Sequence, residues 1–281
     1  MHNLLSAGSA RLWRSKLLYL FAAAIFLLAV GTMLNAGRQA LADTSGYPYY
    51  LEQHYFDTAV YMGIFSSAFL ALFISTEFGD GTIRNKLTVG HTRANVYLSN
   101  LVLCAAASLV FNAAWMVGGM AGIPALGPWT IGTSGVLLSV VISVLAAVSL
   151  GSIFLLVSMV SGNRAATTVA CIFLSLALIV TASYFYNHLC EPELSSGVTI
   201  TADGVLQPMP PTPNPRYVAE PLRSVFIAIV NILPTGQMIL LANIKSGEGF
   251  AVYPLQIAGS LLLTLLTTGT GLILFKRRNL K

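Results

Sequence analysis

The amino-acid sequence predicts an all-α polytopic membrane protein with six transmembrane helices. Hydrophobic residues make up 56% of the 281-residue chain and charged residues only 9%, whereas about a quarter of the residues in a soluble domain are charged. Several long windows carry no charge, and a helix needs about 20 mainly apolar residues to span a bilayer. The chain therefore has room for about six spans with short connections, and no water-soluble domain fits beside them.

The uncharged windows place the six spans, which we call TM1 to TM6. TM1 follows basic residues, as in a signal peptide, but it is long for one and lacks a clear cleavage site, so we expect it to be retained. The uncharged window 94–162 must contain two spans, because GIPALGPWTIGTSG (122–135) supplies a turn rich in proline and glycine. The predicted spans are TM1 17–34, TM2 58–76, TM3 95–121, TM4 134–160, TM5 165–186 and TM6 250–275.

A polar segment and one further apolar run lie between TM5 and TM6. Residues 188–221 are rich in proline and acidic side chains, and we expect an exposed extracellular loop with little regular structure. The apolar run 222–245 is long enough to span, but Asn231, Pro234 and Gly236 interrupt a helix. We expect a re-entrant hairpin of two short helices that dips in from the outer face and breaks at Pro234. A kinked full span is the alternative.

The distribution of basic residues predicts which side of the membrane each connection faces. If the run 222–245 is re-entrant, eleven of the fifteen lysines and arginines fall on one side together with both termini. A seventh span would move one basic terminus to the opposite side. We therefore expect both termini in the cytoplasm. The eleven residues are Arg11, Arg14, Lys16, Arg84, Lys86, Arg93, Arg164, Lys276, Arg277, Arg278 and Lys281.

One short charged segment follows TM2 and carries the main functional prediction. Asp80 and Thr82 are both able to cap a helix, Gly81 lets the chain turn sharply, and Gly90 suits a C-terminal stop. The segment 82–89 is therefore predicted to form a helix of two turns, on the order of 12 Å long. Such a helix is too short to be stable alone in water, so it must pack against a partner.

The residues alone leave two partners open for this short helix. Arg84 and Lys86 could lie on lipid phosphates at the membrane surface. The acidic Glu77 and Asp80 beside these bases, together with the sharp caps, are more typical of a surface that docks onto another protein.

The segment STEFGDGTIRNKLTVGHTRANVYLSN (75–100) resembles the first cytoplasmic loop of ABC-2-type permeases, the membrane subunits of bacterial ABC exporters. In that family this loop forms the coupling helix, which sits in a groove of the ATPase subunit. A second segment, NILPTGQ (231–237), is similar to the family's re-entrant segment before the last helix, near the outer gate. The matching positions are Glu77, Gly81, Thr82, Ile83, Arg84, Asn85, Lys86 and Leu87 in the loop, and Asn231, Pro234, Gly236 and Gln237 in the hairpin.

The resemblance implies a non-catalytic permease that moves a substrate outward across the bacterial cell membrane. None of the lysines follows a glycine, so the chain lacks the Gly-Lys-[Ser/Thr] motif that wraps ATP phosphates. ATP and Mg²⁺ would then be bound by two partner ATPase subunits, and this chain would carry no cofactor or metal. The other expected partners are a second permease copy or a sister permease, and membrane lipids, with no nucleic acid. Antimicrobial peptides and drugs are among the substrates that the resemblance allows.

Hydroxyl side chains on TM2 and TM5 are the candidates for the translocation path, although serine and threonine in spanning helices commonly bond to their own backbone. They are Ser66, Ser67, Thr167 and Thr168.

Two other functions deserve comparison with the exporter. Secondary, ion-coupled carriers often contain broken helices in both halves of an inverted repeat, whereas this sequence has one broken segment and no visible repeat. An intramembrane serine protease would use Ser134, in the motif GTSG (132–135), as nucleophile and His188 as base. A four-residue pattern of glycine and serine is common by chance.

Overall fold

A computed structural model describes residues 1–44, 49–57, 59–161, 163–195, 197–200, 206–244 and 249–278. The chain is mostly helical in these ranges, and six helical segments are long and apolar enough to cross a membrane. The prediction of an all-α polytopic membrane protein is confirmed at this level. The six segments are Lys16–Ala42, Leu51–Gly79, Arg93–Leu126, Gly132–Ser161, Arg164–Cys190 and Tyr253–Arg277.

The described chain forms twelve α-helices and four short strands. The helices are α1 His2–Arg14, α2 Lys16–Ala42, α3 Leu51–Tyr55, α4 Ala59–Gly79, α5 Thr82–Thr88, α6 Arg93–Gly119, α7 Ile123–Leu126, α8 Gly132–Ser161, α9 Arg164–Cys190, α10 Leu222–Ile232, α11 Pro234–Ala242 and α12 Tyr253–Arg277. A short 3₁₀ turn, Met120–Gly122, joins α6 to α7. The strands are β1 Leu194–Ser195, β2 Val198–Ile200, β3 Leu206–Pro208 and β4 Thr212–Pro213.

Several helix ends differ from the windows that apolar composition predicted. TM1 was expected to end at residue 34, but α2 continues to Ala42, because residues 35–42 are mostly alanine, leucine, glutamine and arginine, which favour helix. TM6 was expected from residue 250, but α12 begins at Tyr253, with a proline in its first turn. The predicted start of TM2 at Thr58 lies outside the described residues.

Contacts between helix ends show that the long helices have their ends at two ends of the bundle. The basic end holds α1, α5, the start of α6 and the C-terminal ends of α4, α8 and α12. The hairpin end holds the four strands and the outer ends of α10 and α11. Within the bundle α2 packs on α6, α4 packs on α8 and α9, and α12 packs on α8.

The N-terminal helix α1 was not predicted, since the first residues were treated only as a basic flank. Leu4, Gly8 and Leu12 recur every four residues, so they share one face, and all three are buried. A Cβ atom on Gly8 would overlap the Leu103 side chain of α6. Helix α1 therefore packs against the bundle, and Ser15, in an extended conformation, separates it from α2.

The expectation of little regular structure in the loop 188–221 is wrong in part. Strand β1 pairs with β4 and β2 pairs with β3, both antiparallel. The β-branched run Val198–Ile200 favours an extended strand, which composition rich in proline and acid did not suggest.

The apolar run before α12 forms two helices, α10 and α11, bent by 96° where the sequence predicts a break. Leu233 lies at the corner with extended dihedral angles, and Pro234 opens α11. Every residue from Pro234 to Ala242 is buried, whereas α10 buries only Val230 and Asn231. Helix α11 thus lies inside the bundle, against α8, α9 and α4. The predicted hairpin end at Lys245 lies outside the described residues.

Candidate functional site

One buried carboxylate, that of Glu77, joins four helices at the basic end. Glu77 lies in the last turn of α4 and is 1% exposed. Its Oε1 accepts a hydrogen bond from Lys86 Nζ of α5 at 2.5 Å and pairs with Arg11 Nη1 of α1 at 3.0 Å. Its Oε2 accepts from Asn100 Nδ2 of α6 at 2.9 Å. We call these four residues the Glu77 cluster.

The Glu77 cluster makes a buried charge tolerable because both carboxylate oxygens have partners. The Arg11 guanidinium also lies over the Phe73 ring of α4, 3.9 Å from its centroid, a cation–π contact that favours the charged form. Burial lowers the pKa of Arg11, and the Glu77 carboxylate opposes that shift. The cluster therefore fixes α1 and α5 against the ends of α4 and α6.

Helix α5 begins at the predicted Thr82 and ends at Thr88, one residue before the predicted end, and no predicted side-chain cap starts it. The N-cap residue is Gly81, whose φ of 66° is in the left-handed region, and no side chain caps this end. Asp80 is exposed. Because glycine adopts this conformation without a steric penalty, the sharp turn itself directs α5. The Thr92 side chain does cap α6, by accepting a hydrogen bond from Asn95 N at 3.2 Å.

The predicted contact residues of α5 divide into an inward and an outward set. Ile83 is buried, Leu87 packs against the core, and Lys86 is half-buried on Glu77. Arg84 and Asn85 are exposed. Gly81 and Thr82 are half-buried in the turn that starts the helix. The inward set therefore holds α5 in place, and the outward set is free to contact another molecule.

Two more outward residues were missed by the sequence reasoning. Thr88 is exposed, and Val89, which directly follows α5, is 79% exposed. Thr88 follows Arg84 by four residues, and Val89 follows Asn85 by four, so all four share one face. That spacing was visible in the sequence. We call Arg84, Asn85, Thr88 and Val89 the α5 surface.

Two arginines at the basic end bind the free carbonyl groups of helix ends. Arg93 Nη1 of α6 donates to the carbonyl oxygens of Phe275 at 2.8 Å and Arg278 at 2.5 Å. Arg278 Nη1 donates to the Met159 carbonyl of α8 at 2.5 Å, and its guanidinium lies 4.4 Å from the Phe78 ring centroid. Partial burial lowers the pKa of Arg278. The last carbonyls of a helix have no partner within it, so these contacts fasten α8 and α12 to α6.

At the hairpin end, Asn231 fastens α10 to the chain that enters α12. Its Nδ2 donates to the Phe250 carbonyl at 2.7 Å and to the Ile227 carbonyl at 2.8 Å. Its Oδ1 accepts from Val252 N at 2.8 Å. Every polar atom of this fully buried amide is therefore bonded.

Gln237 fastens α11 to α10 and to α12. Its Nε2 donates to the carbonyl oxygens of Asn231 and Gln256, both at 2.9 Å, and its Oε1 accepts from Ser260 Oγ at 2.9 Å. A Cβ on Gly236 would overlap the Val230 carbonyl of α10, so only glycine permits the close approach of the two helices. Asn231 and Gln237 thus belong to one polar network, and Pro234 and Gly236 lie buried between them in the chain.

Both outer ends of the α10–α11 pair lie near each other. Arg223, at the start of α10, and Asn243, just after α11, line the same cavity, together with Cys190 at the end of α9. The pair therefore enters and leaves the bundle at the hairpin end.

The candidate path residues lie in packed regions. Ser66, Ser67 and Thr167 are buried. Ser67 Oγ donates to the Ile64 carbonyl at 2.8 Å, and Thr167 Oγ1 donates to the Asn163 carbonyl at 2.6 Å. Thr168 donates to the Arg164 carbonyl in the same way. Three of the four hydroxyls thus bond to their own helix or its cap, and the path assignment stays a prediction.

The two residues of the protease alternative make separate contacts. Ser134 is exposed in the first turn of α8. His188, in the last turn of α9, has its ring 4.5 Å from that of Tyr184 and its Nδ1 3.5 Å from the Arg216 carbonyl. Within the described residues no hydrogen bond joins Ser134 to His188, and no group of three or more His, Cys, Asp or Glu side chains is placed to hold a metal ion.

No protein-family model matches this chain, and no curated protein matches it.

Proposed function

We propose that this chain is the membrane subunit of an ABC exporter of the ABC-2 type, and that α5 is its coupling helix. The observation that carries the proposal is the division of α5. Ile83 and Lys86 hold the helix to the bundle, whereas the α5 surface is left exposed. An interfacial lipid-binding helix would instead turn its apolar residues to the membrane, but here Ile83 is buried and Leu87 packs against the core of the bundle. The resemblance of residues 75–100 to the coupling loop of these permeases supports the same conclusion.

In this proposal the Glu77 cluster transmits force. A two-turn helix has little stability of its own, so motion of an ATPase against the α5 surface must be passed on through its anchors. Glu77 belongs to α4, which packs along α9 and α11. Thr235 of α11 in turn donates to the Leu178 carbonyl of α9 at 2.9 Å. A tilt of α4 would therefore reach the hairpin at the opposite end of the bundle. This is a two-state element biased by a ligand that binds elsewhere.

The same proposal assigns the two ends of the bundle to the two sides of a bacterial cytoplasmic membrane. Ten of the described lysines and arginines cluster on the basic end, which the positive-inside rule places in the cytoplasm with both termini. The α10–α11 pair then enters from outside as an outer gate. Two ATPase subunits would bind ATP and Mg²⁺, and a second permease copy or a sister subunit would complete the exporter. Antimicrobial peptides and drugs are the substrate classes to test first.

Co-purification with the ATPase tests the proposal. The double variant Arg84→Glu/Val89→Asp changes only exposed side chains of the α5 surface. We expect it to insert and melt like the wild type, but to lose the ATPase on purification and to lose ATP-dependent export. Lys86 is unsuitable for this test because its removal would also take away one of the two cations that pair with Glu77.

Arg277→Glu is the matched control, since it reverses an exposed charge at the same end but outside α5. It should retain both the ATPase and export. If the α5 double variant still binds the ATPase and transports normally, α5 is not a coupling helix.

A further inference from the structure

A second feature at the basic end is a cavity of about 480 Å³ beside α1. Its walls come from α1, the start of α2, α4 and the start of α9, and no residue of α5 lines it. Its volume lies within the range of about 300–1,000 Å³ that is usual for small-molecule sites. The cavity is therefore distinct from the surface proposed to meet the ATPase.

Three arginines and no acidic residue line this cavity. Arg14 and Arg164 are exposed, and neither forms an ion pair among the described residues. Arg11 uses Nη1 for Glu77, whereas its Nε and Nη2 have no hydrogen-bond partner in the described part of the chain. Guanidinium groups present several donors in a planar fork that matches the oxygens of a phosphate. The charged part of the cavity is thus complementary to a phosphate group.

The remaining wall of the cavity is mostly apolar, although Ser15 and Thr76 also line it, and its apolar part reaches deeper into the bundle. Arg14 ends α1 and Arg164 begins α9, so both lie at the level of helix ends. Phe69 and Leu72 line the inner wall. Phe69 precedes the end of α4 by ten residues, which corresponds to about 15 Å along the helix. The cavity therefore passes from cationic at its rim to apolar inside.

We propose that this cavity binds one anionic phospholipid, with its phosphate between Arg11, Arg14 and Arg164. The upper part of one acyl chain lies against Leu72 and Phe69. Basic pockets between transmembrane helices recognise anionic headgroups by this combination of charge and apolar contact. A free phosphate ion would satisfy the arginines but would leave the apolar wall uncovered, so the lipid is the better match to the whole cavity.

Native mass spectrometry of the full chain in detergent tests the proposal. We would titrate phosphatidylglycerol and, separately, phosphatidylcholine with the same acyl chains. The wild type should bind one phosphatidylglycerol more tightly than phosphatidylcholine. Arg14→Gln/Arg164→Gln removes two exposed charges of the cavity and should weaken phosphatidylglycerol binding roughly tenfold or more. Leu72→Trp leaves the charge unchanged but fills the cavity, so it should weaken binding of both lipids.

The matched control is Lys276→Gln/Arg277→Gln, which removes two exposed charges at the same end but outside the cavity. It should bind phosphatidylglycerol like the wild type. Equal affinity for the two lipids, or an equal loss in the control, would show general charge attraction and overturn the proposal. Displacement of the lipid by millimolar inorganic phosphate, or unchanged binding in a folded Leu72→Trp variant, would also overturn it, in favour of a simple anion site.

Discussion

Lys86 of α5 donates to Glu77 in the last turn of α4, over 2.5 Å. The contact joins a short exposed helix to one of the six helices long enough to cross a membrane. Since Glu77 is buried and Lys86 is half-buried, separating them would leave a charge without its partner in a poorly solvated place. We therefore expect α5 and α4 to move as one body.

Replacing Glu77 tests how much this end of the bundle depends on one carboxylate. Glu77→Gln keeps the shape but leaves Arg11 and Lys86 without a counter-charge. We expect a loss of about 2–3 kcal/mol in unfolding free energy, less than the 3–5 kcal/mol typical of fully buried pairs, because Arg11 is partly exposed. Chemical denaturation of the purified protein in micelles measures this loss.

Asp80→Asn is the control for Glu77→Gln, because Asp80 is an exposed acid three residues further along the chain. It should change stability by less than about 0.5 kcal/mol. Similar losses in both variants would mean that net charge, and not the Glu77 cluster, stabilises this end.

The contact between Gly236 and the Val230 carbonyl predicts that the hairpin tolerates no side chain at this position. In Gly236→Ala the new methyl group would push α11 away from the backbone of α10. We expect a cost of about 1–3 kcal/mol, or more if the hairpin cannot relax, seen as a lower melting temperature. Gly269→Ala, in α12, places its new methyl group in open space and should be neutral or slightly stabilising. Equal melting temperatures for the two variants would contradict the observed packing.

The direction of the hairpin is testable by labelling single cysteines in a background without the exposed Cys190. Leu222→Cys and Ile244→Cys mark the outer ends of α10 and α11. Because the neighbouring residues Arg223 and Asn243 line one cavity at the hairpin end, both cysteines should react with a membrane-impermeant maleimide added to intact cells. Val89→Cys, on the α5 surface, should react only after the cells are permeabilised. Labelling of Leu222→Cys and Ile244→Cys from opposite sides would instead establish a seventh span.

Arg278 should control local opening at the basic end. Arg278→Gln removes the hydrogen bond to the Met159 carbonyl and the stacking on Phe78. We expect a local loss of about 1 kcal/mol, which is roughly fivefold faster amide exchange in the last turns of α8 and α12. Arg277→Gln is the control, since Arg277 is exposed. Exchange that is equally fast in both variants would rule out a clamping role for Arg278.

Apolar composition predicted the spans because a bilayer imposes one simple requirement, a helix long and apolar enough to cross it. The hairpin break was also predictable, since Pro234 cannot continue a helix from α10. Helix α1 was not predicted because its buried face includes Gly8, and glycine does not contribute to the hydrophobic pattern that indicates a packed helix. Helix α2 extends past its predicted window because helix propensity, and not hydrophobicity, determines where it ends.

The side chains that contact Glu77 could not be predicted, because they are distant from it in the sequence. Lys86 lies 9 residues away and Asn100 lies 23 away, while Arg11 belongs to a helix that the sequence did not reveal. Tertiary packing alone brings these side chains together. By contrast, the outward face of α5 could have been found from the four-residue spacing of Arg84 and Thr88.

Oxygen Oε1 of Glu77 accepts a hydrogen bond from Lys86 and forms an ion pair with Arg11. Helices α1 and α5 are thus both held to α4 through the same oxygen atom. A change in the surrounding lipids that moves Arg11 away from Glu77 would leave Lys86 as the sole cation on that oxygen. The strength of the contact that holds α5 to α4 would then change. The lipids around the basic end would thereby change how firmly α5 is held to α4.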